Sequence, residues 1–399
     1  MYDNFVVVGA VSDDPFAIDV SHYFGQRADI SDLLALKHFA NTEFCPRFIT
    51  DEMDMEHIGN GLCGKTVVIV STCCGNHTRN ALAMRTFMIA RAAKDNGAAK
   101  VILVEPDLFY SAQDRGPRPE HGETAFARSK KDYNKFDGQP FSSLLYAQLL
   151  HTSGVDSVIT VHNHSVSVQR LFTREFDGQF FNLSPAELYA DYLITHGVGL
   201  SGPDAADFVI CAPDDGAAPF VQEVHAALEQ ASSRMLLKTS PSLLLMSKVR
   251  SGERRVSIEA APASPIKLDA IRNRDVIVFD DMVRTGSTVT ECCKILKKAG
   301  ARRVAFVVTH FYSSDEVKEN LNHNAIDEII TTNTLPSVLN RDMQGRLRKK
   351  MLVLKIEKWI VNFLHKEFIS TSSAPYKAPY SVDVSSKNPH WRPFHDMES

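Results

Sequence analysis

The stretch best equipped for chemistry runs from Arg274 to Ala299, RDVIVFDDMVRTGSTVTECCKILKKA. An apolar segment, Val276–Phe279, leads into Asp280 and Asp281, and the small residues Thr285, Gly286, Ser287 and Thr288 follow. Val289, Cys292, Cys293, Leu296 and Ala299 then recur at spacings of three and four, which predicts a helix. Strand, acidic pair, Gly/Ser/Thr loop and helix start together form an anion site. The loop offers backbone N–H groups and hydroxyls, and the helix adds the positive end of its dipole. The two carboxylates repel a phosphate, so they suit its neighbours: sugar hydroxyls as donors, or a bridging divalent cation. A plain strand-to-helix turn capped by Thr or Ser would leave two adjacent aspartates without a partner.

Such a loop must stand at the carboxyl end of a strand, and the chain supplies the elements to hold it. Thr66–Ser71, Val101–Val104 and Ser157–Val161 read as strands, alternating with helices at Asn80–Asn96 and Ser142–Ser153. This βαβ order implies a mostly parallel sheet. The order recurs with strands at Asp207–Ala212, within Met235–Met246, at Val276–Phe279 and at Val304–Thr309, and with a helix at Phe220–Ala231. The expectation is an α/β chain of two tandem units, each a mostly parallel sheet flanked by helices. The divisions are an N-terminal extension (1–35), whose apolar run Phe5–Val8 is either part of an extension or an extra strand, an N-terminal domain (36–183), a C-terminal domain (184–366) and a tail (367–399) rich in Ser and Pro. Asp107–Lys135 is long and charged around Gly116-Pro117-Arg118-Pro119, so it is expected to be disordered or a lid. Arg341–Lys350 is basic and reads as a solvated helix start or a docking patch. Met351–Leu364 is expected to be an amphipathic helix on the second domain.

The 399 residues suffice for two full cores. A formal charge of -4 gives no general pull toward nucleic acid or an anionic membrane, so neither is expected as a partner. Seven cysteines, at 45, 63, 73, 74, 211, 292 and 293, are odd in number and include two adjacent pairs. That is no disulfide framework, and it fits reduced thiols in a cytoplasmic protein. The start MYDNFVVVGAVSDDP lacks the pattern of a signal peptide, and no apolar run is long enough to span a bilayer.

Six stretches carry a family resemblance. The Asp280–Thr288 segment resembles the phosphoribosyl pyrophosphate loop of phosphoribosyltransferases and of ribose-phosphate diphosphokinases. Phe39-Ala40-Asn41-Thr42-Glu43 resembles the F-x-(D/N)-x-E segment of the diphosphokinases, which holds adenine from a neighbouring subunit. Glu105–Arg115 (EPDLFYSAQDR) resembles their P-Y-x-x-Y-x-R-Q-D-R stretch, matching at Gln113 and Asp114. Val158–Phe172 places His164 where the family histidine meets ATP phosphates and Mg²⁺. Ala212–Ala218 (APDDGAA) resembles the pyrophosphate loop, with Asp214 at the Mg²⁺-binding aspartate. Lys248 and Arg250, within Met246–Arg250, resemble the family's catalytic K-x-R pair; two apart on a strand, they share a face.

The resemblance covers roughly residues 36–365 and implies two tandem phosphoribosyltransferase-like domains. It also implies a ribose-phosphate diphosphokinase: ATP and ribose 5-phosphate as substrates, Mg²⁺ as cofactor, and a homo-oligomer whose ATP site is shared between subunits. In that reading Phe39, Asn41, Glu43, Gln113, Asp114 and His164 bind ATP. Asp280, Asp281, Thr285, Gly286, Ser287 and Thr288 bind ribose 5-phosphate, His164 and Asp214 serve the metal, and Lys248 and Arg250 neutralise the transition state. Four departures mark a divergent member: Ala112, His162, Pro219-Phe220 and Arg284 replace the usual Arg, Asp, Lys-Arg and small or acidic residue. His162 and His164, flanking Asn163, are also compatible with a transition-metal site. The alternatives are a non-catalytic regulatory paralogue, or a phosphoribosyltransferase, which would explain only the 275–299 stretch.

Overall fold

The computed structural model describes residues 4–49, 56–124, 126–196, 208–234, 241–251, 255–369 and 374–383, with the side chains of 248–251 and 255–257 left out. The chain divides into two units. The first contains β1 (Phe5–Gly9), α1 (Pro15–Phe24), β2 (Leu34–His38), β3 (Phe44–Phe48), β4 (Thr66–Val70), α2 (Arg79–Asp95), β5 (Lys100–Val104), α3 (Ser142–Ser153), β6 (Ser157–Val161), α4 (Val166–Glu175) and β7 (Phe180–Leu183). Its sheet runs β1-β4-β5-β6-β7 and is parallel throughout. The strands TVVIV, KVILV and SVITV are almost wholly buried, as a parallel sheet covered on both faces requires. β2 and β3 form a separate antiparallel hairpin, fastened to α2 by the Arg85 guanidinium stacked 4.7 Å from the Phe44 ring.

The second unit contains α5 (Ala186–His196), β8 (Phe208–Ala212), α6 (Ala218–Arg234), β9 (Ser242–Ser251), β10 (Arg255–Ala260), β11 (Asp275–Val283), α7 (Ser287–Lys298), β12 (Arg303–Phe311), α8 (Asp315–Leu321), β13 (Glu328–Thr332), β14 (Met351–Lys355) and β15 (Ser381–Val382). Its sheet order is β10-β9-β8-β11-β12-β13-β14-β15, with β10 and β15 the antiparallel edges. β9 lies parallel on one side of β8, and the chain then returns to lay β11 parallel on the other side. That reversal opens a crevice beyond the carboxyl ends of β8 and β11, where open α/β sheets bind ligands. The first sheet advances in one direction from β1 to β7 and has no such reversal. The expected helix after Thr288 is α7, whose Val289, Cys292, Cys293 and Leu296 join the core.

The structure alters four expectations. Residues 5–24 take the second of the two expected forms, an extra strand and not an extension: β1 pairs with β4 and α1 packs within the same unit, so the 1–35 division does not stand apart. Asp107–Lys135 is neither a disordered segment nor a free lid among its described residues. The buried Arg128 guanidinium ties it down by donating to Asp132 (2.7 Å), Gly116 O (2.8 Å) and His121 O (3.0 Å). Met351–Leu364 is not one helix: Met351–Lys355 is a strand, and only α9 (Glu357–Leu364) is helical. A short apolar run of this kind is compatible with either element from periodicity alone, and here it is buried between two neighbouring strands. Finally, α9 belongs to the first unit, not the second, and packs on α1 with the following segment, where His365 meets Phe24. Of the tail, residues 370–373 and 384–399 lie outside the described residues, whereas β15 extends the second sheet.

Candidate functional site

The Gly286 backbone shapes the Thr285–Thr288 loop. Its φ of 81° is left-handed, and a Cβ there would come within 3.1 Å of Leu321 Cδ2. Only glycine sits there without strain. Gly286 is the N-cap of α7, and no side chain caps that helix. Its first N–H groups therefore remain available to a bound anion. Thr285 and Ser287 are exposed, their hydroxyls 3.3 Å apart, and Thr288 is half-buried. The loop is held from behind by Asn320 of α8. Its side-chain amide donates to Thr285 O at 2.8 Å, and its carbonyl accepts the Thr290 hydroxyl at 3.2 Å. Asn320 was not singled out from the sequence, because its helix carries no chemical signature and the link spans 35 residues.

Asp280 and Asp281 stand at the far end of β11, each half-buried by its total surface. Asp281 N–H donates to Asp280 Oδ1 at 2.9 Å. Burial, and the charges of Asp281 and Asp214 beside it, push the Asp280 carboxyl well above the usual carboxylate range. Two adjacent carboxylates thus stand at the crevice, within reach of the charge of Asp214. Such a set of oxygens asks for hydroxyl donors or a hard divalent cation, which fits Mg²⁺. Among the described residues no three His, Cys, Asp or Glu side chains are grouped as a metal cage. That is ordinary for Mg²⁺ held by one or two carboxylates together with substrate phosphates.

Asp214 has a local task as well. Its Oδ1 accepts the N–H groups of Gly216 (3.1 Å) and Ala217 (3.3 Å). The turn before α6 is thereby held by its own carboxylate. Lys248 and Arg250 lie on β9, in register with Ile258 and Val256 of β10. β8 ends at Ala212, opposite Leu245. The β9–β10 hairpin therefore carries both residues past the carboxyl edge of β8, Lys248 by three residues or about 10 Å. Their side chains lie outside the described structure. Arg284, the departure inside the loop, is exposed.

In the first unit, Phe39, Asn41 and Glu43 form the exposed tip of the β2–β3 hairpin. The tip is closed by Phe39 N–H to Glu43 O at 2.9 Å and by Asn41 Oδ1, which accepts Glu43 N–H at 3.2 Å. Gln113 and Asp114 come together with the His164 segment. Asp114 Oδ2 accepts the Ser165 hydroxyl at 2.9 Å, and Ser167 donates to Asp114 O at 2.8 Å. His164 and Gln113 are both exposed. His162 is buried with φ 47°, and Asn182 accepts the Asn163 N–H at 2.8 Å. The structure thus unites two of the three ATP-side stretches and sets the third on a projecting hairpin.

A parallel sheet with an uncapped phosphate loop at its strand-order reversal defines a phosphoribosyltransferase-type α/β protein, here with a second parallel-sheet unit ahead of it. The profile of the phosphoribosyl transferase domain matches residues 202–339. Over 92% of this chain, the fold matches the whole chain of the phosphoribosylpyrophosphate synthetase from Mycobacterium smegmatis, with a TM-score of 0.67 at 21% identity. Ribose-phosphate pyrophosphokinase 4 of Saccharomyces cerevisiae is 27% identical over 70% of this chain and 72% of its own length. The ribose-phosphate pyrophosphokinase of Haemophilus influenzae is 26% identical over 81% and 88%. The chain is thus similar over most of its length to ribose-phosphate pyrophosphokinases, at the low identity of a divergent relative.

Proposed function

We propose that this protein transfers the β,γ-diphosphoryl group of ATP to the 1-hydroxyl of ribose 5-phosphate. The observation that carries this reading is the open N-terminus of α7 beside Asp280 and Asp281, at the strand-order reversal. Thr285, Gly286, Ser287 and Thr288 hold the 5-phosphate through amides and hydroxyls. Asp280 and Asp281 accept hydrogen bonds from the ribose hydroxyls. The sugar's O1 attacks the β-phosphorus, the bond from that phosphorus to the α,β-bridging oxygen breaks, and AMP leaves with that oxygen. The O1 proton passes to solvent. Lys248 and Arg250 neutralise charge gathering on the group in flight. Mg²⁺, served by Asp214 and His164, would supply charge neutralisation along the polyphosphate. The protein's main contribution is alignment, which can supply roughly 7–11 kcal/mol.

Phe39, Asn41 and Glu43 bind ATP with Gln113, Asp114 and His164. The exposure of the hairpin tip supports a homo-oligomer in which one subunit's tip completes a neighbour's site. We assign the protein to the cytoplasm; all seven cysteines are free, and no helix among the described residues is long and apolar enough to cross a membrane. One observation favours a non-catalytic paralogue: Asp214 occupies the Gly216 and Ala217 amides in a loop followed by Pro219-Phe220 instead of two cations. The test is AMP release from ATP, Mg²⁺ and ribose 5-phosphate. AMP equal to sugar consumed supports the enzyme. Absence of sugar-dependent AMP with nucleotide binding intact overturns it for the paralogue, and pyrophosphate release on adding a base overturns it for a phosphoribosyltransferase.

A further inference from the structure

The basic stretch Arg341–Lys350 takes no part in the site above. It forms a short helix at Arg341–Gln344 and a 3₁₀ turn at Gly345–Lys349, and it borders a cavity of about 860 Å³. We infer that this cavity is a second anion site, taking a compact organic phosphate that carries two or more phosphate groups. The inference does not rest on the proposed reaction.

The location is set by the sheet. Arg303 begins β12, Asp327 directly precedes β13, and Lys350 directly precedes β14. In a parallel sheet these are the same edge, the amino-terminal one. The phosphate loop stands at the carboxyl edge, a strand's length away. β12 has nine residues, which corresponds to about 30 Å.

Four cations line the cavity: Arg303, Arg346, Lys349 and Lys350. Its one carboxylate, Asp327, is already committed. Asp327 Oδ2 accepts Lys297 Nζ at 2.6 Å and Val304 N–H at 2.7 Å. Arg303 pairs with Glu328 at 3.4 Å. Arg346 and Lys349 are exposed and have no carboxylate partner among the described residues. Lys350 Nζ donates to Ile326 O at 2.9 Å and His323 O at 3.1 Å. An ammonium has three donors, so one remains for a ligand. Burial pushes the Lys350 amine down to about 8; a bound anion would favour its charged form.

The size falls within the range of small-molecule pockets, roughly 300–1,000 Å³. Ile326 is the one apolar side chain in the lining, and no aromatic ring is available to stack a base. Asn322 and Asn324 offer amides to hydroxyls. Recognition therefore falls on charge and hydroxyls. A cavity of these dimensions holds a compact ligand whole, whereas an acidic peptide would run beyond it.

The test reads this site directly. The full-length protein is acylated at pH 8 with an N-hydroxysuccinimide ester, and the extent at each lysine is read by peptide mass spectrometry. Pyrophosphate or ADP is added at constant ionic strength. Lys349 and Lys350 are expected to be protected at least about fivefold, as mass action gives once a ligand exceeds its Kd several times, with Lys366 of the other unit unchanged. Arg346→Ala is expected to abolish the protection while leaving the unfolding midpoint and AMP release unchanged. Equal modification with and without pyrophosphate and ADP overturns the proposal. So does protection matched by sodium sulfate at the same ionic strength, or protection seen with polyglutamate alone, which would indicate a protein partner.

Discussion

In the first unit the starts of α1, α2 and α4 are filled by the chain's own oxygens, while α3 begins at Ser142 without a side-chain cap. The Asp14 carboxylate caps α1, accepting Phe16 N–H at 2.9 Å and the Thr72 hydroxyl at 2.7 Å. Thr78 caps α2 and Ser165 caps α4. Glu105, just past β5, is fully buried and accepts Phe109 N–H and the Tyr146 hydroxyl, each at 2.8 Å. In the second unit α7 begins at Gly286 with no side-chain cap, and the nearby carboxylates face one another. The same donors exist at both edges. A missing cap is not enough to set α7 apart, since α3 lacks one too; the start of α7 differs in lying at the strand-order reversal, after Asp280 and Asp281. The strand orders agree with this difference, since only the second sheet has the reversal that opens a crevice.

The largest test of the contrast is Lys248→Ala. It is expected to cut kcat for AMP formation by at least about a hundredfold, as for removal of a group that meets transition-state charge. A near-normal rate would refute the role assigned to Lys248. Next comes pH. Burial raises Asp14 to about 6 and Glu105 to about 8, whereas the unfolded chain loses these protons near pH 4. The folded state thus binds more protons, and the stability this contributes is fully present below about pH 4. It is lost as pH rises through 6 and then 8, by up to about 1.4 kcal/mol per pH unit for each proton. Urea midpoints of the first unit's transition should fall over this range, and Glu105→Gln should flatten the upper part. An unchanged slope in that variant would show that Glu105 does not carry it.

Smaller effects separate the two edges most directly. Asp14→Ala should cost about 1–2 kcal/mol in stability, as for a lost N-cap. Ser287→Ala should change stability by no more than about 0.5 kcal/mol yet raise KM for ribose 5-phosphate. If Ser287→Ala destabilises as much as Asp14→Ala, then α7 is capped after all and the contrast fails. Gly286→Ala should do both, costing about 1 kcal/mol or more for the left-handed backbone and weakening sugar-phosphate binding.

The pieces most readable in the sequence were local ones. Val276–Phe279 and the spacing from Val289 to Leu296 gave β11 and α7, because burial on both strand faces and on one helix stripe leaves a periodic trace. The six motif stretches were recognisable for the same reason: each is contiguous. What failed was what contiguity does not record. Met351–Leu354 is apolar enough for either element, and only its neighbours β13 and β15 decide that it is a strand. Arg128 organises the 107–135 loop through carbonyls at 116 and 121, which no residue pattern announces. The order of strands around β8, and the support of Thr285 by Asn320, exist only once distant segments have met.

The placement of α9 bears on how the protein comes to be made. The first 183 residues leave the ribosome with α1 lacking the partner that will cover it, because Glu357–Leu364 is synthesised more than 170 positions later. The second unit's β8–β13 can pair before that helix exists. The earliest part of the chain to appear therefore waits for one of the latest, and a stop codon shortly before Glu357 would damage the opposite end of the polypeptide.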